Sequence, residues 1–236
     1  PLSCTEEAAG KVERASFALI EYLEAVLNNK PVAPVALFSQ YREVQELAAA
    51  ERVHPADLWN FDHRGTEVAA PADVKALKAD AQIRSLFDRV VLLLVKTNSP
   101  AAAGQLARMA AGLSAGADVP RVATFWRVAA GYFEAVSHQL VPSDVYVKRA
   151  ASRILLQLAG LMQEKSRHDV SETLVHDLLF FCSQARPKDP ALVPHLVVVR
   201  SAFGLSDAAP VDYSKATLGQ FDPALLLQHS AVVPQR

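Results

Sequence analysis

The residues of this chain best suited to chemistry are its seven histidines: His54, His63, His138, His168, His176, His195 and His229. Imidazole changes charge near neutral pH and can accept a phosphoryl group. A phosphotransfer histidine needs an exposed ring nitrogen on a helix. It also needs a nearby cation to take the phosphoryl charge, and a small residue that lets a partner domain approach. In sequence this reads as His, then Lys or Arg three residues on, then Gly or Ser. None of the seven fits. His176 is followed by Asp177-Leu178-Leu179, His138 by Gln139-Leu140-Val141 and His195 by Leu196-Val197-Val198. His176, in the middle of a helical pattern, is a weak phosphoacceptor candidate, and a packing or surface role is the favoured reading. His54, just before Pro55, reads as a turn residue whose imidazole bonds backbone.

Other chemistry finds no support. G-x-G-x-x-G and G-x-x-x-x-G-K-[ST] are absent, so no phosphate-cradling loop is expected. G-x-S-x-G and H-E-x-x-H are absent too. Cys4 and Cys182 lie far apart, form no CxxC and have no histidine at zinc-ligand spacing, so two reduced thiols in a reducing compartment are expected. Cys182 follows Phe180-Phe181 and reads as a small core residue. Carboxylates such as Glu6-Glu7, and Asp57 near Asp62, read as solvated surface. The expectation is no catalytic residue, no metal and no cofactor.

The elements that must position these residues are helices. Hydrophobic residues make up 51% of 236, with Ala and Leu dominant and only 9 glycines, which favours helix. Ser3-Cys4-Thr5-Glu6 has the form of a capping box. Val12, Leu19, Leu23, Val26 and Leu27 then recur at helical spacing until Asn28-Asn29-Lys30-Pro31 stops the helix. A second helix is predicted over 35–51, and a short segment around 55–59. A third runs over 71–96. Ser99-Pro100 caps a fourth, which ends at Gly116. Pro120 opens a fifth, whose Trp126–Phe133 stripe reads as core. Helices also start at Pro142-Ser143, Ser171 and Pro190, the last ending at Gly204. The run Leu196–Val199 reads as helix, since a lone strand would have no partner. The predicted organisation is an N-terminal helical segment (1–60), a linker (61–70), a helical bundle (71–205) and a C-terminal tail (206–236), in which Phe221, Leu225 and Leu226 could pack back onto the bundle. The fold class is all-α, a multi-helix bundle.

Lys and Arg number 24 against 25 Asp and Glu, with signs mixed, so the basic stripe of a nucleic-acid binder is missing. The longest aliphatic run, Val90 to Val95, is far short of the roughly 20 residues a membrane span needs. With no signal peptide in the sequence, a cytoplasmic location is expected. The opening Pro1 fits a fragment of a longer protein, and a trimmed or renumbered chain equally well.

Three stretches carry a resemblance: YREVQELAAAERVHPADLW (41–59), DVYVKRAASRILLQL (144–158) and LVHDLLFFCSQARPKDPALVPHLVVVRSAFGL (174–205). In this order the chain resembles, over residues 10–205, the N-terminal region shared by CheA-like hybrid histidine kinases of type IV pilus chemosensory systems and FimL-type scaffold proteins. The resemblance implies degenerate histidine-phosphotransfer-like (Hpt-like) bundles in tandem. It implies a non-catalytic signalling module with protein partners, namely response-regulator receiver domains or pilus and polar-localisation proteins. The family's active copies carry His-x-x-Lys-Gly, which this chain lacks. The helix from Ser99 to Gly116 has no histidine at all, so phosphotransfer is carried over to no residue.

Overall fold

The computed structural model describes residues 5–205 and 209–219, in two compact units. Eight α-helices and no strand occur among the described residues, so the chain is all-α.

The first unit comprises the described residues of 1–60 and 211–219. Its long helix α1 (Glu6–Leu27) is capped by Thr5, whose hydroxyl accepts the Ala8 N–H; Ser3 and Cys4 lie outside the described residues. A 3-10 turn (Pro34–Leu37) leads into α2 (Phe38–Leu47), and a second turn (Pro55–Leu58) follows. Residues 211–219 close the unit: Tyr213 is buried with its ring edge-on to Phe38 at 6.0 Å, and Gln40 donates to the Leu218 carbonyl at 2.7 Å. Gly219 has φ +69°, and a Cβ there would lie 2.9 Å from that of Ala18, so only glycine fits. Phe221, Leu225 and Leu226, expected to pack back, lie outside the described residues.

Within this unit α1 inverts the expected burial. Its inner face is Ala15, Ala18, Tyr22 and Ala25, with Ala18 fully buried. Val12, Leu19, Leu23, Val26 and Leu27, the residues whose spacing marked the helix, are exposed. Small residues let α1 lie close to α2 and the 34–37 turn. Periodicity located the helix but could not say which of two apolar faces its own unit would use.

The second unit holds α3 (Ala81–Thr97), α4 (Pro100–Ala115), α5 (Pro120–Ser137), α6 (Val145–Leu161), α7 (Glu172–Gln184) and α8 (Pro194–Ala202). α5 is central, packing against α4, α7 and α8, while α3 packs against α4 and α6. Its Trp126, Tyr132 and Phe133 are buried with Phe87, Phe180 and Phe181 in edge and tilted ring contacts, such as Phe87–Trp126 at 6.0 Å and Tyr132–Phe181 at 5.9 Å. Each such pair adds about 0.5–1.5 kcal/mol beyond area burial.

Three predicted helix starts are corrected. α3 begins at Ala81, not Pro71, because Asp80 caps it by accepting the Ile83 N–H, while Leu77 donates its own N–H to Gly112 at 2.8 Å. α6 starts at Val145 because Asp144 accepts two N–H groups, from Tyr146 and Val147. α8 starts at Pro194, since Pro190–Leu192 is a single 3-10 turn. The run Leu196–Val199 is helical, and Gly204 ends α8 with φ +63°. Residues 61–80 contain no helix and lie along this unit. There the Val68 N–H donates to the Thr124 hydroxyl at 2.9 Å, and Val68 is buried.

Candidate functional site

The histidines do not converge on one centre. His176 sits half-buried in the middle of α7, its ring 5.9 Å from that of His63, whose Nδ1 is 3.7 Å from Glu172. The next residue, Asp177, is fully buried and paired with Arg153 of α6. In the first unit, Nδ1 of His54 accepts the Ala56 N–H, so His54 is a turn cap as its position before Pro55 implied. Asp57 closes that turn by accepting from the His54 N–H at 2.8 Å, and it also takes Arg52 and Tyr41. His138 caps the end of α5 and His168 lines a cleft described below. His229 lies outside the described residues. Cys182 is fully buried, and burial pushes its thiol up to about 12, which leaves it protonated and inert at neutral pH.

Spacing gave no notice of the polar cluster where α5 meets α8. Glu134, on the inner face of α5, accepts the Leu196 N–H at 2.8 Å. A helix start leaves N–H groups without intrahelical partners, and α8 has no side-chain cap of its own. Glu134 supplies that cap from a neighbouring helix, at the positive end of the α8 dipole. His195 lies between Glu134 and Arg127, its Nδ1 against the Arg127 guanidinium and its Nε2 4.0 Å from Glu134. Burial pushes the Glu134 carboxyl up to about 7 against the pull of two backbone N–H groups and Arg127. Burial, then the Arg127 charge, brings His195 down to about 4. The sequence carried one signal for this, a glutamate inside the apolar stripe of α5.

The two shifts act on stability in opposite directions. Folded Glu134 holds a proton that the unfolded chain has released between about pH 4.5 and 7, so its contribution falls as pH rises through that window. Folded His195 is neutral where the unfolded chain is protonated, between about pH 4 and 6.5, so its contribution rises with pH. The parent chain is expected to show a nearly flat contribution from the pair. Glu134→Gln keeps only the His195 slope, so its own stability should climb by on the order of 1–2 kcal/mol between pH 4 and 6.5 where the parent stays flat. His195→Asn should lose a similar amount between pH 4.5 and 7. Urea unfolding at several pH values reads both slopes, and parallel profiles for the two variants would contradict the coupling.

Among the clefts on the second unit, two are lined by histidines. One, of about 440 Å³, is walled by Leu77 and Lys78, the end of α4, Trp126 and the Met162–His168 turn, with the Arg167–Asp118 ion pair at its rim. The other, of about 260 Å³, lies between His63–Glu67, Arg121, Phe125 and Val175. Among the described residues no group of three or more His, Cys, Asp or Glu could hold a metal ion. None of the helices described is long and apolar enough to cross a membrane.

The second unit and its clefts define an all-α helical module with a continuous aromatic core and polar residues used as caps. A model of the family described as FimL scaffold protein second domain matches residues 72–216, and the chain belongs to that family. Such a domain is a scaffold, which implies protein partners. Searches of curated proteins and of solved structures found no match. Two of the three stretches that carried the resemblance, 144–158 and 174–205, fall inside the matched range, and 41–59 precedes it.

Proposed function

We propose that the chain is a non-catalytic signalling scaffold of a cytoplasmic type IV pilus chemosensory system, acting by presenting helix faces to protein partners. Membership of the FimL scaffold second-domain family is the observation that carries this reading. Its partners are response-regulator receiver domains or pilus and polar-localisation proteins. The helices are degenerate relatives of Hpt bundles, kept for their shape after the phosphoacceptor was lost. The surroundings of His176 support this. The ring is half-buried, Asp177 beside it is taken by Arg153, and Leu179 stands where a phosphotransfer helix carries a cation.

The test is binding and transfer measured together. The chain should bind a receiver or polar-localisation protein from the pilus system in calorimetry. It should take no acid-labile label from a phosphorylated receiver or from the system's kinase. Label that appears and is lost in His176→Ala would replace this reading with an active phosphotransfer domain using an atypical acceptor. Absence of binding to every receiver and localisation protein of the system would remove the scaffold reading of its partners.

A further inference from the structure

α1 carries more apolar surface outward than inward. Val12 is 51% exposed, Leu19 48%, Ile20 51%, Leu23 49%, Val26 46% and Leu27 81%. At 3.6 residues per turn they form a stripe running from the flank of the helix (Val26, Leu19) to the side opposite buried Ala18 (Ile20, Leu27). Ala9, Val12, Ser16, Leu19, Leu23 and Val26 follow steps of three and four in strict alternation, so 9, 16 and 23 repeat every seven residues, as do 12, 19 and 26. A repeat of seven keeps one seam facing a partner helix along its whole length, which is the pattern of paired helices. Ile20 and Leu27 widen that seam on one side. With 22 residues against the 10 of α2, α1 is long enough to present it over three heptads.

We infer that the chain pairs with a second copy of itself through this stripe, α1 lying against α1 about a two-fold axis. Area argues for the occupant. The six side chains offer roughly 600 Å² per copy, and a symmetric pair would cover roughly 1,200 Å², the lower bound of stable interfaces. A single exposed apolar patch of that size is at the upper limit for an isolated chain. An identical seam supplies the matching heptad register, and a two-fold contact requires only that the surface complement itself.

The pair is antiparallel. That direction sets Leu23 over the small Ser16 and Leu27 over Val12, with Leu19 and Ile20 crossing at the centre. A parallel pair would stack large on large at one end and bring the acidic tips Glu6 and Glu7 of both copies together. The pairing does not rest on which partner the second unit holds.

Sedimentation of the full chain over about a hundredfold range of concentration should show twice the mass of the chain, falling to one at the dilute end. Leu19→Glu combined with Leu23→Glu should leave a monomer throughout, with the helical circular dichroism of the parent. In a Cys4→Ser background, Ile20→Cys should crosslink to itself on mild oxidation. Leu27→Cys should not, since its copies would lie roughly 20 Å apart. A parent chain monomeric at every concentration overturns the inference, as does a dimer that survives the double glutamate change. A chain ending at Gly219 should dimerise like the parent. If it alone dimerises, residues 220–236 cover the stripe and the inference falls. Self-crosslinking at Leu27 but not Ile20 overturns the antiparallel direction.

Discussion

Arg200→Met is expected to cost about 4 kcal/mol of folding stability. Arg200 is 6% exposed, and its guanidinium reaches four carbonyls. Nη1 donates to Cys182, Ser183 and Ala185 at 2.7, 3.0 and 2.8 Å. Nη2 donates to Leu205 at 2.9 Å. The first three oxygens are the end of α7, where the last carbonyls of a helix have no partner in the helix itself and its dipole is negative. The fourth belongs to the chain leaving α8. One side chain thus closes α7 and fastens the exit of α8. Methionine fills much of the volume but leaves four buried acceptors stranded, at about 1 kcal/mol each. Arg200→Lys keeps the charge but replaces a planar fork by a compact ammonium with three donors, so it should recover about half of the loss. Urea unfolding measures both. A loss below about 1 kcal/mol for Arg200→Met would mean that water replaces the guanidinium at these carbonyls.

Arg200, Glu134 and Asp177 share a feature that was readable without coordinates. Each stands inside an apolar stripe: Arg200 among Leu196, Val199 and Phe203, Glu134 beside Phe133, Asp177 between Leu174 and Phe181. A charge on an inner face must find a partner, because leaving it bare in the core is too costly. The identity of that partner was not readable, since it lies on another helix: Leu196 for Glu134, Arg153 for Asp177, the end of α7 for Arg200. Local signals did better. Ser99 before Pro100 and Ser171 cap their helices where the side-chain chemistry says they should. The misplaced start of α3 has a tertiary cause: residues 71–80 have an adequate helical pattern, but α4 offers them a groove and a carbonyl. The outward stripe of α1 escaped notice because a helix with alanines on one side and leucines on the other reads as amphipathic, with the leucines inward. The helical position of His176 is legible in the sequence, while the approach of the His63 ring and the pairing of Arg153 with Asp177, 24 positions apart, are set by the folded chain.

The groove on α4 yields the other large effect. A Cβ on Gly116 would lie 2.1 Å from the Leu77 carbonyl oxygen, and one on Gly112 would lie 2.6 Å from the Leu77 side chain. The two glycines form a bare lane in which residues 75–77 lie. The lane matters because Leu77 and Lys78 wall the 440 Å³ cleft. Gly116 has φ −96°, a conformation open to any residue, so its own backbone does not demand glycine. Apart from the contact, Gly116→Ala should even stabilise, by about 0.4–1 kcal/mol through a less flexible unfolded chain. With the contact, a backbone oxygen must move. The segment lifts, the Leu77–Gly112 hydrogen bond breaks and Leu77 loses its packing, for an expected net loss of about 2–3 kcal/mol. The sign of the change therefore decides the matter. Gly160, inside α6 with nothing within 4 Å of a built Cβ, is the control, and its alanine variant should gain about 0.5–1 kcal/mol from helix propensity alone. Hydrogen exchange at the Leu77 amide should quicken in Gly116→Ala and stay slow in Gly160→Ala. A Gly116→Ala chain as stable as its parent, with Leu77 still protected, would mean that residues 75–77 reach the bundle by another route.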